Sequence, residues 1–532
     1  MSVWHPVEPV LPASFESADL FWWRTGTGMR TVVSLLGGMA APRLRAADQR
    51  LRAVWFDASG TPGFALETVL DHRGMAYLDS AALSTSTGGL SLPEDALLAV
   101  FALSEAARSA PAPEDLAPSV RASLYGLVDW VGPGGSATLH SDQALRHGLR
   151  TRELTEVVLV PEDGPAALVF LNGAHPQPAK AFQLELRAGN GAVKRHVVAG
   201  GFAPWSVNRI PLGSAAALAA LDEGRPLLAT GRMTLDGMHA RPYVVQQEGV
   251  PGAYHAGDRY PQIPARSWQE QVMRGCFNPV AVWQDAHIAT IANLLHSQGA
   301  FEEDAWVGVR LFDESGKLVR HEDRWVQLRR HQLVRRNLGD LLPPGSDFRG
   351  HAAFHFSEES GTPLYPPLLQ VLAEYRSDLA PTRTMLWSDD WNSPLRQHQV
   401  AGVSLRSFFR VWWSGALRTT ISISNAGPAG ASPGYQTHAD YCLVLTNLDG
   451  EELVHRASLG PHESHFLEVG QLGEDVEAHL APRGYGMVVV ESPCDLAMLQ
   501  FTRHEPSGSL AVEHLMAAPT LSGGQAFWPA GG

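Results

Sequence analysis

The feature that most constrains this chain is an internal repeat. The double tryptophan of FWWRTGTGMRTVVSLLGG (21–38) returns 390 residues later in VWWSGALRTTISISNAG (411–427). A second pattern, strand–glycine turn–strand, occurs four times, and its turn glycines are spaced by 131, 125 and 134 residues: Gly60, Gly191, Gly316 and Gly450. Because the first and last of these glycines are also 390 residues apart, both features predict four copies of a unit of about 130 residues.

Each copy contains short stretches in which apolar and polar residues alternate, bounded by turn residues. Gly (51) and Pro (37) are frequent throughout. An alternating strand has one apolar face, which two sheets can bury by packing face to face. We therefore predict an all-β protein of four tandem antiparallel β-sandwich modules with little helix. The predicted modules are 1–150, 151–266, 267–398 and 399–518, followed by an extended C-terminal tail, 519–532.

A few segments fit this pattern less simply. The segments 102–110 and 213–224 have the composition of single short helices inserted between strands. The segment 366–381 has leucines at helical spacing, but the repeat register predicts a strand there. The tail carries the adjacent aromatic residues Phe527 and Trp528, which fit either docking onto a partner or a frayed end.

Composition and charge exclude several function classes. The net charge is −14, and a nucleic-acid-binding protein usually has a basic face. Cys276, Cys442 and Cys494 have neither disulfide-framework nor zinc-knuckle spacing. The N-terminal residues lack the basic and apolar regions of a secretory signal, and no uncharged apolar run is long enough to span a membrane. We expect a cytoplasmic protein that binds no nucleic acid.

Three segments of the last copy carry a family resemblance: CLVLTNLDGEELVH (442–455), LGPHESHFLEVGQL (459–472) and YGMVVVESPCDLAMLQFTRHE (485–505). In these segments the unit resembles the sensory rhodopsin transducer family and related bacterial β-sandwich modules. The resemblance implies small sandwiches that assemble as tetramers and act as soluble binding or signalling partners. Four linked copies would then imitate such a tetramer in one chain or form an elongated array. The middle copies depart from the pattern, so the resemblance implies an architecture and no partner residues.

The search for catalytic motifs finds no G-x-S-x-G, HExxH or P-loop. An H-x-x-H pair, His462 and His465, lies on one turn near His455, but no further ligand follows at matching spacing, and we expect a solvated polar turn. Polar residues also recur at the predicted module junctions and could form a repeated ligand or cation site, or simply linker turns: His140, Asp142, His255, Asp258, Asp389 and Asp390. We therefore predict no catalytic residue, metal site or cofactor.

The tryptophan pairs are the strongest candidates for binding. Neighbouring side chains of a strand point to opposite faces, so in each of the pairs Trp22–Trp23 and Trp412–Trp413 one ring should enter the core and the other should face outward. An outward tryptophan could stack on a sugar ring or cover a neighbouring module.

These observations favour a non-enzymatic binding or assembly protein, a structural or scaffold component that associates with a protein partner or with itself. Sandwich edges and the tail would supply the contacts. A carbohydrate-binding or carbohydrate-active protein that uses tryptophan platforms for glycans, and a metal-dependent enzyme at a module junction, are the alternatives.

Overall fold

The computed structural model describes residues 3–13, 15, 17–37, 49–71, 74–86, 93–103, 124–140, 143–159, 166–178, 182–187, 193–197, 201–212, 227–246, 252–255, 257–259, 278–296, 303–330, 332–362, 370–380, 383–387, 404–426, 438–492, 496–514 and 517–520. Within these residues the chain is mostly β-strand. Two short helices are present, α1 (Ser80–Ser86) and α2 (Val476–Leu480). The chain is all-β and consists of four tandem antiparallel β-sandwich modules, as the repeat predicts.

Module 1 shows the plan of the repeat. Its strands are β2 (Ser17–Arg24), β3 (Arg30–Gly37), β4 (Arg50–Phe56), β5 (Pro62–Val69), β6 (Met75–Asp79), β7 (Asp95–Leu103), β8 (Leu124–Gly132) and β9 (Gly135–His140). The first, third, fourth and sixth of these form one sheet, β5-β4-β7-β2, which we call the front sheet. The other four form the back sheet, β6-β3-β8-β9. A short strand, β1 (His5–Val7), adds to the front sheet beside β5.

Module 2 repeats this strand order. Its eight strands are β10 (Gln143–Leu159), β11 (Ala166–Leu171), β12 (Phe182–Arg187), β13 (Val193–Val197), β14 (Val207–Pro211), β15 (Leu227–Ala240), β16 (Tyr243–Gln246) and β17 (Gly252–His255), and β18 (Gly257–Arg259) pairs with β10. The front sheet is β13-β12-β15-β10 and the back sheet is β14-β11-β16-β17. The predicted boundary between residues 150 and 151 lies inside β10. That strand also pairs with β2, so the front sheets of modules 1 and 2 are continuous.

Modules 3 and 4 have the same two sheets. Module 3 contains β19 (Asn278–Gln284), β20 (Ile288–Leu295), β21 (Ala305–Asp313), β22 (Leu318–Leu328), β23 (Leu333–Asn337), β24 (Phe348–Ser357), β25 (Gln370–Ser377) and β26 (Arg383–Trp387). Module 4 contains β27 (Ser404–Trp412), β28 (Leu417–Ser424), β29 (Ala439–Thr446), β30 (Glu452–Leu459), β31 (Ser464–Glu468), β32 (Tyr485–Ser492), β33 (Ala497–His504) and β34 (Ser509–His514). A last strand, β35 (Ala517–Thr520), adds to the front sheet beside β27.

The hairpin turn between the third and fourth strands recurs in detail. In modules 1 and 3 an aspartate, Asp57 or Asp313, accepts backbone N–H groups two and four residues later. The glycines that follow, Gly60 and Gly316, have φ values of 79° and 78°, which favour glycine. Gly450 has a φ of 96° at the same place in module 4. The three hairpins are therefore confirmed, while Gly191 lies outside the described residues.

The other local predictions have mixed outcomes. The segment 366–381 contains β25, so the predicted strand is confirmed. The predicted helix at 213–224 lies outside the described residues, and so does most of the one at 102–110, whose first two residues belong to β7. The predicted tail begins inside β35, and the rest of it, with Phe527 and Trp528, lies outside the described part.

The four modules form a closed ring. The eighth strands β9, β17, β26 and β34 contact one another in cyclic order around the centre. The outer face of each front sheet covers the back sheet of the next module, and the front sheet of module 4 covers the back sheet of module 1. We call this last contact the closing seam. None of the helices in the described part of the chain has the length and apolar character needed to cross a membrane.

Candidate functional site: the closing seam

The closing seam joins residues that are almost 400 positions apart. Because successive strand residues point to opposite faces, alternate residues of β27 leave the module 4 core and enter the seam. They are Phe408, Arg410 and Trp412, all of them buried. Phe408 and Trp412 form one apolar cluster with residues of the module 1 back sheet: Val32, Met75, Tyr77 and Leu127.

Arg410 is the polar centre of this apolar contact. Its side chain is 0% exposed, and that of its ion-pair partner Asp129 is 1% exposed. Arg410 Nε donates to Asp129 Oδ2, and Nη1 donates to the carbonyl oxygen of Val32 at 2.9 Å and to Ser34 Oγ at 2.7 Å. The indole N–H of Trp412 donates to the same carboxylate oxygen. Among the described groups, Asp129 Oδ1 and Arg410 Nη2 have no hydrogen-bond partner.

A second ion pair lies at the rim of the seam. Arg30 binds Asp79 through two hydrogen bonds, of 3.0 and 2.6 Å. The guanidinium also lies over the rings of Trp412 and Tyr485, at 5.2 and 5.5 Å from their centroids. Burial alone would raise the pKa of Asp79, but the hydrogen bonds and charge of Arg30 outweigh burial and lower it. Burial, and next the charge of Asp79, raise the pKa of Tyr485, whose hydroxyl donates to Asp79.

A third polar group lies where the strands β9 and β34 end. These strands run side by side, with Gly135 against Ser509 at their starts and His140 against Glu513 at their ends. His140 Nδ1 is 3.1 Å from Glu513 Oε1, and His514 Nε2 is 3.6 Å from the same oxygen. The three side chains are 0%, 2% and 8% exposed. The sequence-predicted residue His140 therefore belongs to a buried cluster that also includes Glu513 and His514.

Two other seams also use ring stacking. Trp205, in module 2, stacks on Phe56 at 4.5 Å between centroids, and His462, in module 4, stacks on Phe312 at 4.2 Å. Trp205 and His462 both have positive φ values, 52° and 60°, and both follow a proline. The prediction of a solvated turn at His462 is therefore wrong, because module 3 covers this turn. Burial, followed by the charge of Arg310, lowers the pKa of His462.

Three of the seams also differ at one equivalent position of the seventh strand. This position pairs with the residue after Thr31, Thr290 or Thr419 of the second strand, and it holds Asp129 in module 1, Glu374 in module 3 and Phe501 in module 4. Asp129 binds Arg410, Glu374 binds Arg335 within module 3, and Phe501 contacts Trp283 at 5.3 Å. Because a charged surface and an aromatic surface are poor substitutes for each other, these differences distinguish the three seams from one another.

In each tryptophan pair one ring packs in the core of its own module, and the other faces outward and is covered by a neighbouring module, which is one of the two roles that the sequence left open. Trp22 and Trp23 are both buried, at 2% and 0% exposure, because module 2 covers the face of the front sheet that would otherwise meet water. Arg209 of module 2 lies over Trp22 at 4.8 Å. The pairs are also not equivalent. The backbone N–H groups of Arg24 and Trp412 each donate to a threonine seven residues later, so Arg24 and Trp412 are equivalent positions. Trp22, two residues before Arg24, therefore corresponds to Arg410 rather than to Trp412.

The remaining predicted residues are only partly described. Trp413 is half-buried, packs against Gly470 and lies under the guanidinium of Arg418 at 4.2 Å. The backbones of His255 and Asp258 belong to β17 and β18, while their side chains lie outside the described part, as do Asp142, Asp389 and Asp390 entirely. The site residues that the sequence reasoning missed are Arg410, Asp129, Glu513 and His514. The sequence feature that could have identified them is a charged or ionisable residue inside an otherwise apolar strand, as in SFFRVW (407–412) and SLYGLVDWV (123–131).

Two groups of described residues have donor atoms close enough together to hold a metal ion. One is the buried cluster of His140, Glu513 and His514. The other, His321, Asp323 and His355, lies on the front sheet of module 3. Arg310 Nε is 3.3 Å from His321 Nε2, and burial, followed by the charge of Arg310, lowers the pKa of His355 to about 4. The adjacent guanidinium would repel a metal cation, so the buried cluster is the better candidate.

Comparison with known proteins adds little to this geometry. No family model matches the chain, and no curated protein matches it. Among solved structures, a crystal structure of a tetra-tandem repeat in the extending region of a large adhesion protein aligns with 88% of this chain and 92% of that chain. The sequence identity is 10% and the TM-score is 0.10. A likeness of this size indicates neither the fold nor the function of this chain.

Proposed function

We propose that this protein is a non-enzymatic structural or binding scaffold, a single-chain ring of four sandwiches that takes up extended strands of a partner or of another copy at its outer edges. The observation that carries the proposal is the distribution of exposed apolar residues. Four of the eight large apolar side chains that are exposed in the described part lie on fourth strands of front sheets: Val69, Leu318, Val319 and Val454. These strands lie toward one edge of their front sheets, whereas the eighth strands, which meet at the ring centre, belong to the back sheets.

The edges themselves are suited to strand addition. The sheet order ends at β22 in module 3 and at β30 in module 4, and no described strand pairs with their far sides. In module 1 the same edge, β5, already holds the N-terminal strand β1, paired from His5–Glu67 to Val7–Ala65. The chain thus contains one example of the strand addition that we propose for the other modules. Charged residues such as Glu322 and Arg456 also lie on these strands and would limit unspecific aggregation.

The interior contacts favour a rigid scaffold. Arg410 and Asp129 are buried in the closing seam and face no open cleft. The four modules of one chain would thereby act as the counterpart of a tetramer, one of the two arrangements that the resemblance to the sensory rhodopsin transducer family implies. A binding role needs such a fixed arrangement, because rigid edges lose little conformational entropy when a strand is added.

Light scattering coupled to size-exclusion chromatography, over a wide range of protein concentration, tests self-association. We expect species larger than one chain in the wild type and their loss in Val454→Lys or Leu318→Lys, which place a charge on an open edge. Val69→Lys is the matched control, since it lies on the edge that β1 already occupies. A wild type that stays a single chain at every concentration, and that binds none of a panel of extended β-strand peptides, would refute the proposal.

A further inference from the structure

We propose that His140, Glu513 and His514 form a buried metal site, best suited to zinc, that holds module 1 to module 4. The site is distinct from the outer edges, and the inference does not depend on the proposed strand addition. It rests on the identity of the donor atoms, their separations, their burial and their position between the two ends of the sequence.

The donor set and its spacing fit a tetrahedral ion. Two imidazole nitrogens and one carboxylate oxygen are ligands that zinc accepts, and a site with three protein ligands leaves a fourth position for water. With bonds of about 2.0–2.1 Å, two ligand atoms of a tetrahedron are about 3.4 Å apart. The separations from Glu513 Oε1 are 3.1 Å to His140 Nδ1 and 3.6 Å to His514 Nε2. The ligand atoms all lie within 4.8 Å of one another.

The carboxylate is held in place by the backbone. Glu513 Oε2 accepts the backbone N–H of His140 at 3.1 Å, and Oε1 accepts the backbone N–H of His514 at 2.8 Å. Such hydrogen bonds from outside the ligand set orient a ligating carboxylate before the ion arrives. With both imidazoles neutral, the three side chains themselves carry a net charge of −1 in a place where water contributes little screening.

The residues at this place in each module explain why the site would occur once. His140 pairs with Leu127 and His514 pairs with Leu499, at equivalent places in modules 1 and 4. The equivalent residues of the other two modules are His255 and Trp387. The residue before this position is a carboxylate only in module 4, where it is Glu513. Strand β9 ends at His140 and strand β34 ends at His514, so the ion would enter where these two strands end.

Equilibrium dialysis of the full chain against cobalt or zinc, followed by elemental analysis, tests the site. We expect about one tightly held ion per chain, a cobalt spectrum typical of tetrahedral coordination, and an unfolding temperature that rises when zinc is added. Glu513→Gln and His514→Asn should each weaken binding about tenfold or more and remove the thermal shift. His355→Asn, in the exposed triplet, is the control and should retain both.

X-ray absorption spectroscopy of the wild type supplies a measurement that depends on no variant, in case a substitution prevents folding. Nitrogen and oxygen neighbours at about 2.0–2.1 Å are expected. The proposal is overturned if the dialysed wild type holds no ion, if cobalt is octahedral, or if His355→Asn removes the binding that Glu513→Gln leaves intact.

Discussion

Breaking the ion pair of the closing seam should separate modules 1 and 4 without unfolding either of them. In Arg410→Met the carboxylate of Asp129 stays buried, at 1% exposure, and loses its only ion-pair partner among the described residues. Removing one member of a buried pair costs about 3–5 kcal/mol. The carbonyl of Val32 and the hydroxyl of Ser34 lose their donor as well. We therefore expect seam opening to become about two to nearly four orders of magnitude more frequent.

The double variant Arg410→Met/Asp129→Leu separates the charge effect from the packing effect. Asp129 Oδ1 and Arg410 Nη2 have no partner among the described groups, so desolvation of the pair is incompletely compensated. An apolar pair of similar volume is then expected to be within about 1 kcal/mol of the wild type, or more stable. The difference between the single and double variants would show that the pair selects the partner surface rather than adding net stability.

Hydrogen exchange measured by mass spectrometry on peptides from β3, β8 and β27 is the appropriate assay, because a four-module ring need not unfold in one step. Faster exchange should be confined to these strands in Arg410→Met, and small-angle scattering should show an opened ring. If Arg410→Met changes the exchange of β3 by less than about tenfold, the ion pair does not hold the closing seam together, and the reasoning is refuted.

Three further perturbations test the other seams. Burial, and next the charge of His462, lower the pKa of His351 to about 3. Between pH 3 and 6.5 the unfolded chain therefore binds a proton at this residue that the folded chain does not, and His351 should contribute about 2 kcal/mol to the stability lost from pH 7 to pH 5. His351→Phe should reduce the loss by about this amount in denaturant titrations. In Gly316→Ala the added methyl group would overlap the carbonyl oxygen of Pro461. Gly361→Ala is the control, because Gly361 has a similar φ of 86° but no neighbouring atom within 4 Å of the added methyl group, and we expect Gly316→Ala to have the lower thermal midpoint. Trp205→Ala should lower the free energy of unfolding in urea by about 3–5 kcal/mol, because the stacked ring is lost. Trp205→Gly should lower it by about 1 kcal/mol less, because the φ of 52° suits glycine. Equal losses in the two variants would contradict the assignment of backbone strain to Trp205.

Much of the fold could be predicted because it depends on local interactions. An aspartate followed three residues later by glycine defines a tight turn through contacts within five residues, as at Gly60 and Gly316. Alternation in a strand such as β28 similarly reports on the strand itself. The candidate site was only partly predictable. His140 was recognised from its place at a module junction, whereas its partner Glu513 is more than 370 residues away.

The sequence by itself determined the fourfold repeat, the strands and the turns, since strands and turns depend on neighbouring residues and on a period of two. The tertiary structure decided which outer faces are covered. Trp22 faces outward from its own sandwich, as a strand requires, and is nevertheless buried because module 2 lies over it. Arg410 becomes a buried ion-pair partner only because the ring closes and brings Asp129 to it. Burial of an outer face depends on the surface that meets it, and no local pattern in the chain encodes that surface.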